Sequence, residues 1–223
     1  MSDSTAAPTD APDTSAQPDD AAPARKRPKP GERRVQILQM LATMLEQPGG
    51  ERITTAALAA RLEVSEAALY RHFASKAQMF EGLIDFIEQT VFSLINQIVE
   101  KEAADAGPAT GARQASRIAG MLVQFAEKNP GMTRVMVGDA LVLEHERLQQ
   151  RMNALFDKVE STIKQCLRDA ALHAPASGPK PDPQVQAAAV VAFVAGRLQR
   201  YARSGFKRSP SEHLEPALAL ILG

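Results

Sequence analysis

Residues 53–80 read Ile-Thr-Thr-Ala-Ala-Leu-Ala-Ala-Arg-Leu-Glu-Val-Ser-Glu-Ala-Ala-Leu-Tyr-Arg-His-Phe-Ala-Ser-Lys-Ala-Gln-Met-Phe. Apolar residues recur here at helical spacing, and the run is punctuated twice. Thr54 or Thr55 is placed to cap a short helix whose Leu58, Ala59 and Leu62 face inward. Glu63-Val64-Ser65 makes a turn, with Val64 plugging the angle between helices. Ser65 then caps a second helix that buries Ala68, Leu69 and Phe73. Two short helices across a tight turn form the unit whose second member lies in the major groove of a DNA duplex. The spacing predicts such a unit at roughly 54–73.

The outward residues of that second helix are Glu66, Ala67, Tyr70 and Arg71, with His72 beside them. Thr54, Thr55, Ser65, Tyr70, His72 and Lys76 each carry a donor suited to phosphate oxygens, contacts that set register without reading sequence. Lys76 adds charge at the already positive start of the next helix. Base edges are left to Ala67, whose methyl suits a thymine methyl, to Tyr70, and to Arg71 on guanine. Read singly, Tyr70 also fits half-buried packing, and Arg71 and His72 fit a solvated surface. The ensemble is far more specific than any member.

Outward from this segment the chain reads as helix throughout. A first helix is predicted over 32–47, with Val35, Leu38, Leu41 and Leu45 inward, stopped by Pro48-Gly49-Gly50. Ser75 and Gln78 form a capping box for a long helix carrying Phe80, Ile84, Ile87, Val91, Leu94 and Ile98 on one stripe. A loop over 103–111 precedes a helix with Ile118, Met121, Leu122 and Phe125 inward, ending at Asn129-Pro130-Gly131. A short helix over 133–139 and a long one over 141–172 follow, the latter with Leu148, Met152, Leu155, Val159, Ile163 and Cys166 in register. After a Pro/Gly linker over 173–181, Asp182-Pro183 opens a helix with Val190, Val194, Leu198 and Tyr201 on one side. Its other side carries Ala188, Ala192, Ala195 and Gly196, and an apolar helix over 214–222 closes the chain. Two such helices can form half of a four-helix bundle across a two-fold axis, although packing within one chain also fits. The expected fold is all-α: a three-helix head over 31–77 and a larger helical dimerisation and effector body over 78–223.

Composition fits a soluble intracellular protein. The chain has 223 residues, with 26 basic and 26 acidic groups. The balance hides an asymmetry. Asp3, Asp10, Asp13, Asp19 and Asp20 precede any basic residue, and residues 1–24 contain no Val, Ile, Leu or Phe. A disordered tail over 1–30 is expected, ending in a basic arm of Arg25, Lys26, Arg27 and Lys29 that continues to Arg33 and Arg34. A basic arm before a folded head suits phosphate contact, although from composition alone a solvated charge run fits better. One cysteine, Cys166, excludes an internal disulfide. No apolar leader is visible, and the longest apolar run, 187–196, is far short of the ~20 residues that span a bilayer. A cytoplasmic location is expected.

The segment Val-Ser-Glu-Ala-Ala-Leu-Tyr-Arg-His-Phe-Ala-Ser-Lys at 64–76 resembles the helix-turn-helix signature of TetR-type regulators. Stretches outside the head, among them Asn-Pro-Gly-Met-Thr-Arg at 129–134, Arg-Met-Asn-Ala-Leu-Phe at 151–156 and Ser-Gly-Phe-Lys at 204–207, are similar to one branch of that family, the nucleoid occlusion factors. This resemblance implies a homodimer on pseudo-palindromic sites scattered over the chromosome. Bound there, it antagonises the tubulin-like division protein FtsZ, so that no septum closes over the nucleoid. It further implies that a C-terminal FtsZ peptide docks between the fourth and fifth helices, at Phe86, Leu94, Met121, Gln124, Lys128 and Asn129. Leu94 stands where better-known members carry a basic residue, and Gln124 where they carry a small one, so an acidic tail would draw more of its attraction from Lys128. Independently, Phe86 sits about 100° off the apolar stripe of its helix and flanks the core or packs under the first helix.

Other classes have less to stand on. A small-molecule-responsive repressor needs convergent polar groups in the body, and Gln124, Asn153 and His145 are the candidates. For an enzyme, His72, His145, His173 and His213 show no metal-ligand spacing. Glu144-His145-Glu146 points three ways on a helix, and Cys166 lies on an apolar stripe as an inert core thiol. No cofactor and no metal are expected.

Overall fold

The computed structural model describes residues 31–103, 107–172 and 181–223. The expected acidic tail with its basic arm and most of the 173–181 linker lie outside the described residues. Among those described there is no strand, and nine α-helices follow in order: α1 Glu32–Glu46, α2 Thr55–Arg61, α3 Glu66–Tyr70, α4 Lys76–Ala103, α5 Thr110–Lys128, α6 Pro130–Met136, α7 Glu146–Leu172, α8 Pro183–Arg203 and α9 Leu214–Leu222. The expected all-helical head and body are both present.

Helix α1 packs on α2 and on α4, and α2 packs on α3. Ile37, Leu41, Leu45, Leu58, Leu69, Phe73 and Phe80 are all buried in one contiguous cluster. Val35, expected inward, is instead 53% exposed, because Ile37, Leu41, Ala42 and Leu45 supply the buried face of α1. The capping box at Ser75 is shifted by one residue on its return side. The Ser75 hydroxyl accepts from the Gln78 backbone N–H at 3.2 Å, whereas the Gln78 side-chain Oε1 accepts from the N–H of Ala74 at 2.7 Å.

Helix α4 serves both parts: it packs on α1 and also on α5 and α7. Its buried stripe runs Phe80, Ile84, Ile87, Val91, Ile95. Leu94 and Ile98, expected inward, are half-buried. A step of four from Val91 keeps Ile95 within about 40° of its predecessor, whereas a step of three to Leu94 swings back by about 60°. The core therefore follows Ile95. Helices α5, α7 and α8 pack against one another and, through α5 and α7, against α4. The register expected for α7 holds from Leu148 to Cys166, as does that of α8 from Val190 to Tyr201.

Two boundaries differ from expectation. Helix α6 begins at Pro130, three residues early, because a proline in the first turn sacrifices an N–H that has no partner anyway. Gly131 then lies where an added Cβ would meet the Ala42 carbonyl oxygen at 2.0 Å, so α1 and α6 touch backbone to backbone. Helix α7 starts at Glu146 instead of 141, after a 3-10 turn over Asp139–Leu141.

On α8 the small residues face outward. Ala192 and Gly196 are exposed, and a Cβ at Gly196 would meet nothing within 4 Å. Val185 and Leu220 are exposed beside them, at 64% and 88%.

Candidate nucleic-acid interface and partner groove

The turn between α2 and α3 is built by local hydrogen bonds. The Thr54 hydroxyl accepts from the Ala57 N–H at 3.1 Å and the Ser65 hydroxyl from the Ala68 N–H at 3.3 Å. Glu63 takes a left-handed backbone conformation, φ 53°, which lets the Val64 N–H reach back to the Ala59 carbonyl at 3.0 Å. Leu69 and Phe73 are then driven inward. Glu66, Ala67, Tyr70, Arg71 and His72 are all exposed on the other side.

Two of the expected phosphate donors are tied to each other. The Tyr70 hydroxyl donates to Thr55 at 3.4 Å, and the Thr55 hydroxyl donates to a Glu66 carboxylate oxygen at 2.7 Å. This chain binds the only acidic group on the outward face of α3 to α2. Arg34 was visible in the sequence as part of a basic run, but not its position. Its guanidinium lies 4.1 Å from the Phe73 ring centroid and donates to the His72 carbonyl at 3.0 Å, so a cation sits at the C-terminal end of α3.

Lys76 has a partner that the sequence does not suggest. Its ammonium is 2.5 Å from a carboxylate oxygen of Glu144, in the segment between the 3-10 turn and α7. The Glu144 side chain is only 8% exposed. This pair is the first rung of a ladder between α4 and α7. Glu81 meets Arg147 at 2.7 Å, and Arg151 meets both Asp85 at 2.9 Å and Glu88 at 2.6 Å.

Of the expected partner residues, Phe86 and Leu94 stand on α4, Met121, Gln124 and Lys128 on α5, and Asn129 at its end. Phe86 is 47% exposed. Leu94 and Ile98 follow it at steps of eight and twelve, which turn them about 80° and 120° around α4 from Phe86. Ile98, Met121 and Gln124 share a recess of about 660 Å³ with Arg117 and with Leu214 and Leu218 of α9. Phe86 and Leu94 lie outside that recess. Lys128 is exposed in the last turn of α5, and Asn129 caps it, donating to the Phe125 carbonyl at 2.8 Å. Beneath the recess, buried Glu102 of α4 binds Arg113 at 3.1 Å and Arg117 at 2.8 Å, which clamps α5 onto α4. That clamp and Glu144 escaped sequence reasoning, because partners 11 to 68 residues apart leave no local signal.

Gln124, Asn153 and His145, the polar groups considered for an internal ligand pocket, are all exposed and do not converge inside the body. Among the described residues no cluster of His, Cys, Asp and Glu could hold a metal ion, and no helix is long and apolar enough to cross a membrane. Cys166 is 6% exposed, and its thiol is pushed up to about 11, by burial first and by the nearby Asp169 carboxylate second. The native thiol should therefore react negligibly with a disulfide reagent at pH 8 and fully once the chain is unfolded. The stability held by the neutral thiol is present below its unfolded value near 9 and is lost as pH rises through about 11. Rapid labelling of native protein, followed by absorbance, contradicts this.

Comparison with known proteins agrees with the two-part reading. Residues 37–83 match the model of bacterial regulatory proteins of the tetR family, and residues 112–222 match the SlmA-like model of the tetracyclin repressor-like C-terminal domain. The nucleoid occlusion factor SlmA of Idiomarina loihiensis is 50% identical over 181 residues, covering 81% of this chain and 89% of its own. That of Vibrio vulnificus is 46% identical over 194 residues, covering 86% and 95%. Among solved structures, the fatty acid degradation regulator FadR from Bacillus halodurans superposes with a TM-score of 0.66 at 12% identity, covering 89% of this chain and 97% of its own. The TetR family regulator PfmR from Thermus thermophilus gives 0.63 at 19%, covering 84% and 94%. These two share the fold alone. Identity near one half over four-fifths of the chain, together with the matching head and body models, shows that this chain belongs to the SlmA family of nucleoid occlusion factors, within the TetR-type regulators.

Proposed function

We propose that this protein is a nucleoid occlusion factor: a homodimer that binds pseudo-palindromic chromosomal sites and, while bound there, antagonises FtsZ assembly so that no septum forms over the nucleoid. One observation carries the reading. Lys76, which follows the exposed face of α3, and the exposed Phe86 stand on the same 28-residue helix α4, so the proposed DNA site and the proposed protein site meet on one element.

Thr54, Ser65, His72 and Lys76 hold phosphates, with Thr55 acting through its bond to Glu66. Ala67, Tyr70 and Arg71 meet base edges in the major groove. The outward small-residue face of α8, with Val185 and Leu220, pairs with its copy in the second protomer as a four-helix bundle. That pairing sets the two recognition helices about one duplex turn apart. Phe86, Leu94, Met121, Gln124, Lys128 and Asn129 receive the FtsZ tail, and the protein works at the nucleoid in the cytoplasm.

Chromatin immunoprecipitation with sequencing tests the function. Many dispersed sites are expected, whereas one operator beside the protein's own gene would favour an ordinary repressor. Linkage makes a further demand. If DNA favours the arrangement of α4 that the tail prefers, a palindromic duplex must tighten tail binding and the tail must tighten DNA binding by the same factor. A labelled tail peptide whose anisotropy titration is identical with and without duplex would remove the coupling.

A further inference from the structure

We infer that Glu144 is a built-in competitor for the DNA backbone, a carboxylate that occupies Lys76 where a phosphate would otherwise lie. The inference rests on Lys76 as a phosphate-contacting residue under the reading above. Lys76 stands on the first turn of α4, next to the exposed end of α3 and beside Ser75, whose hydroxyl caps the helix. Its ammonium is spoken for: Glu144 holds it at 2.5 Å, and the Phe80 ring lies 5.7 Å away.

The carboxylate is the right chemistry for such a competitor. Like a phosphate oxygen, it takes a charge-assisted hydrogen bond from an ammonium. At 8% exposure it is poorly screened by solvent, so its negative charge acts strongly on whatever approaches Lys76. A phosphate arriving there either takes the ammonium and leaves a buried carboxylate without it, or shares the ammonium and sits beside a like charge. Both costs reduce DNA affinity.

The other charges nearby do not relieve the conflict. Arg147, the next cation on α7, is bound to Glu81 at 2.7 Å, and Arg151 beyond it is bound to Asp85 and Glu88. His145 and Glu146 beside Glu144 are exposed. The competitor also has a consequence in the body. Glu144 sits between the 3-10 turn and the first residue of α7, so loss of its partner releases the first rung of the α4–α7 ladder. Occupation of DNA is thereby felt at α7, on the same α4 that carries Phe86.

Salt dependence distinguishes a competitor from a structural strut. When Lys76 exchanges a carboxylate for a phosphate, one ion pair replaces another and net counterion release is small. With Glu144 neutral, Lys76 behaves as an ordinary phosphate contact, which steepens log K against log salt by about one unit per half-site. The test titrates the full-length protein with a palindromic duplex at several salt concentrations, for the native chain, Glu144→Gln, Lys76→Gln and the double variant, each checked for folding by thermal melting. Glu144→Gln is expected to tighten DNA binding about tenfold at roughly 0.1 M salt and to steepen the slope, with both effects absent in the double variant. Unchanged or weakened binding in Glu144→Gln overturns the inference, the latter by showing that Glu144 aims Lys76 at the phosphate. Binding unaffected by Lys76→Gln also overturns it, and then through the premise that Lys76 meets DNA.

Discussion

Phe86→Ala is expected to weaken binding of the FtsZ tail by about thirtyfold while leaving DNA affinity within twofold of the native value. The ring is 47% exposed, so about half its surface remains to be covered by a partner. At roughly 25 cal/mol per Å², covering some 80 Å² is worth about 2 kcal/mol, and a half-exposed aromatic covered by a partner is the kind of residue that concentrates binding energy. The DNA contacts are spared for a geometric reason. Phe86 lies ten residues beyond Lys76, or about 15 Å along α4. Anisotropy with tail peptide and with duplex, run on the same preparation, separates the two outcomes. Equal loss of both affinities would make Phe86 a packing residue for the head and remove it from the groove.

Gly131→Ala should be the most damaging single methyl in the protein. Its Cβ would stand 2.0 Å from the Ala42 carbonyl oxygen and 3.2 Å from the Leu45 side chain, and the nearer neighbour is helix backbone that cannot rotate away. Relief requires α1 to move off α6. Overpacking of this kind costs about 3 kcal/mol, which for a chain of this size lowers Tm by roughly 6–12 °C. A second effect follows from the same contact. Helix α1 carries the head and α6 belongs to the body, so forcing them apart changes the separation of the recognition helices in a dimer. DNA affinity should fall at least tenfold even at temperatures where the variant is fully folded. Calorimetry and duplex titration at 20 °C check the two effects, and a native Tm would show that α1 and α6 do not touch in solution.

The two substitutions probe different kinds of information. Phe86 was singled out from sequence because helical periodicity puts it off the apolar stripe, and its exposure agrees. Gly131 was legible only as punctuation after Asn129-Pro130. That it marks a backbone-to-backbone approach of α6 to α1 depends on Ala42, 89 positions earlier, and no local pattern contains that relation. Val35 and Leu94 make the same point. Each fits a stripe by spacing, yet the direction from which the neighbouring helix packs leaves Val35 in solvent and prefers Ile95 to Leu94.

Short-range physics controls the features that could be read along the chain. Caps at Thr54, Ser65 and Asp182, the apolar period of each helix, and the turn at Glu63-Val64-Ser65 were all written within a few residues of where they act. Together they imply the helix-turn-helix and the all-helical body. Tertiary structure alone decided which charges meet. Lys76 with Glu144, Glu102 with Arg113 and Arg117, and Arg34 over Phe73 join residues that are distant along the chain or on different helices. An ion pair needs two groups within about 4 Å, and packing, not spacing in sequence, brings them there.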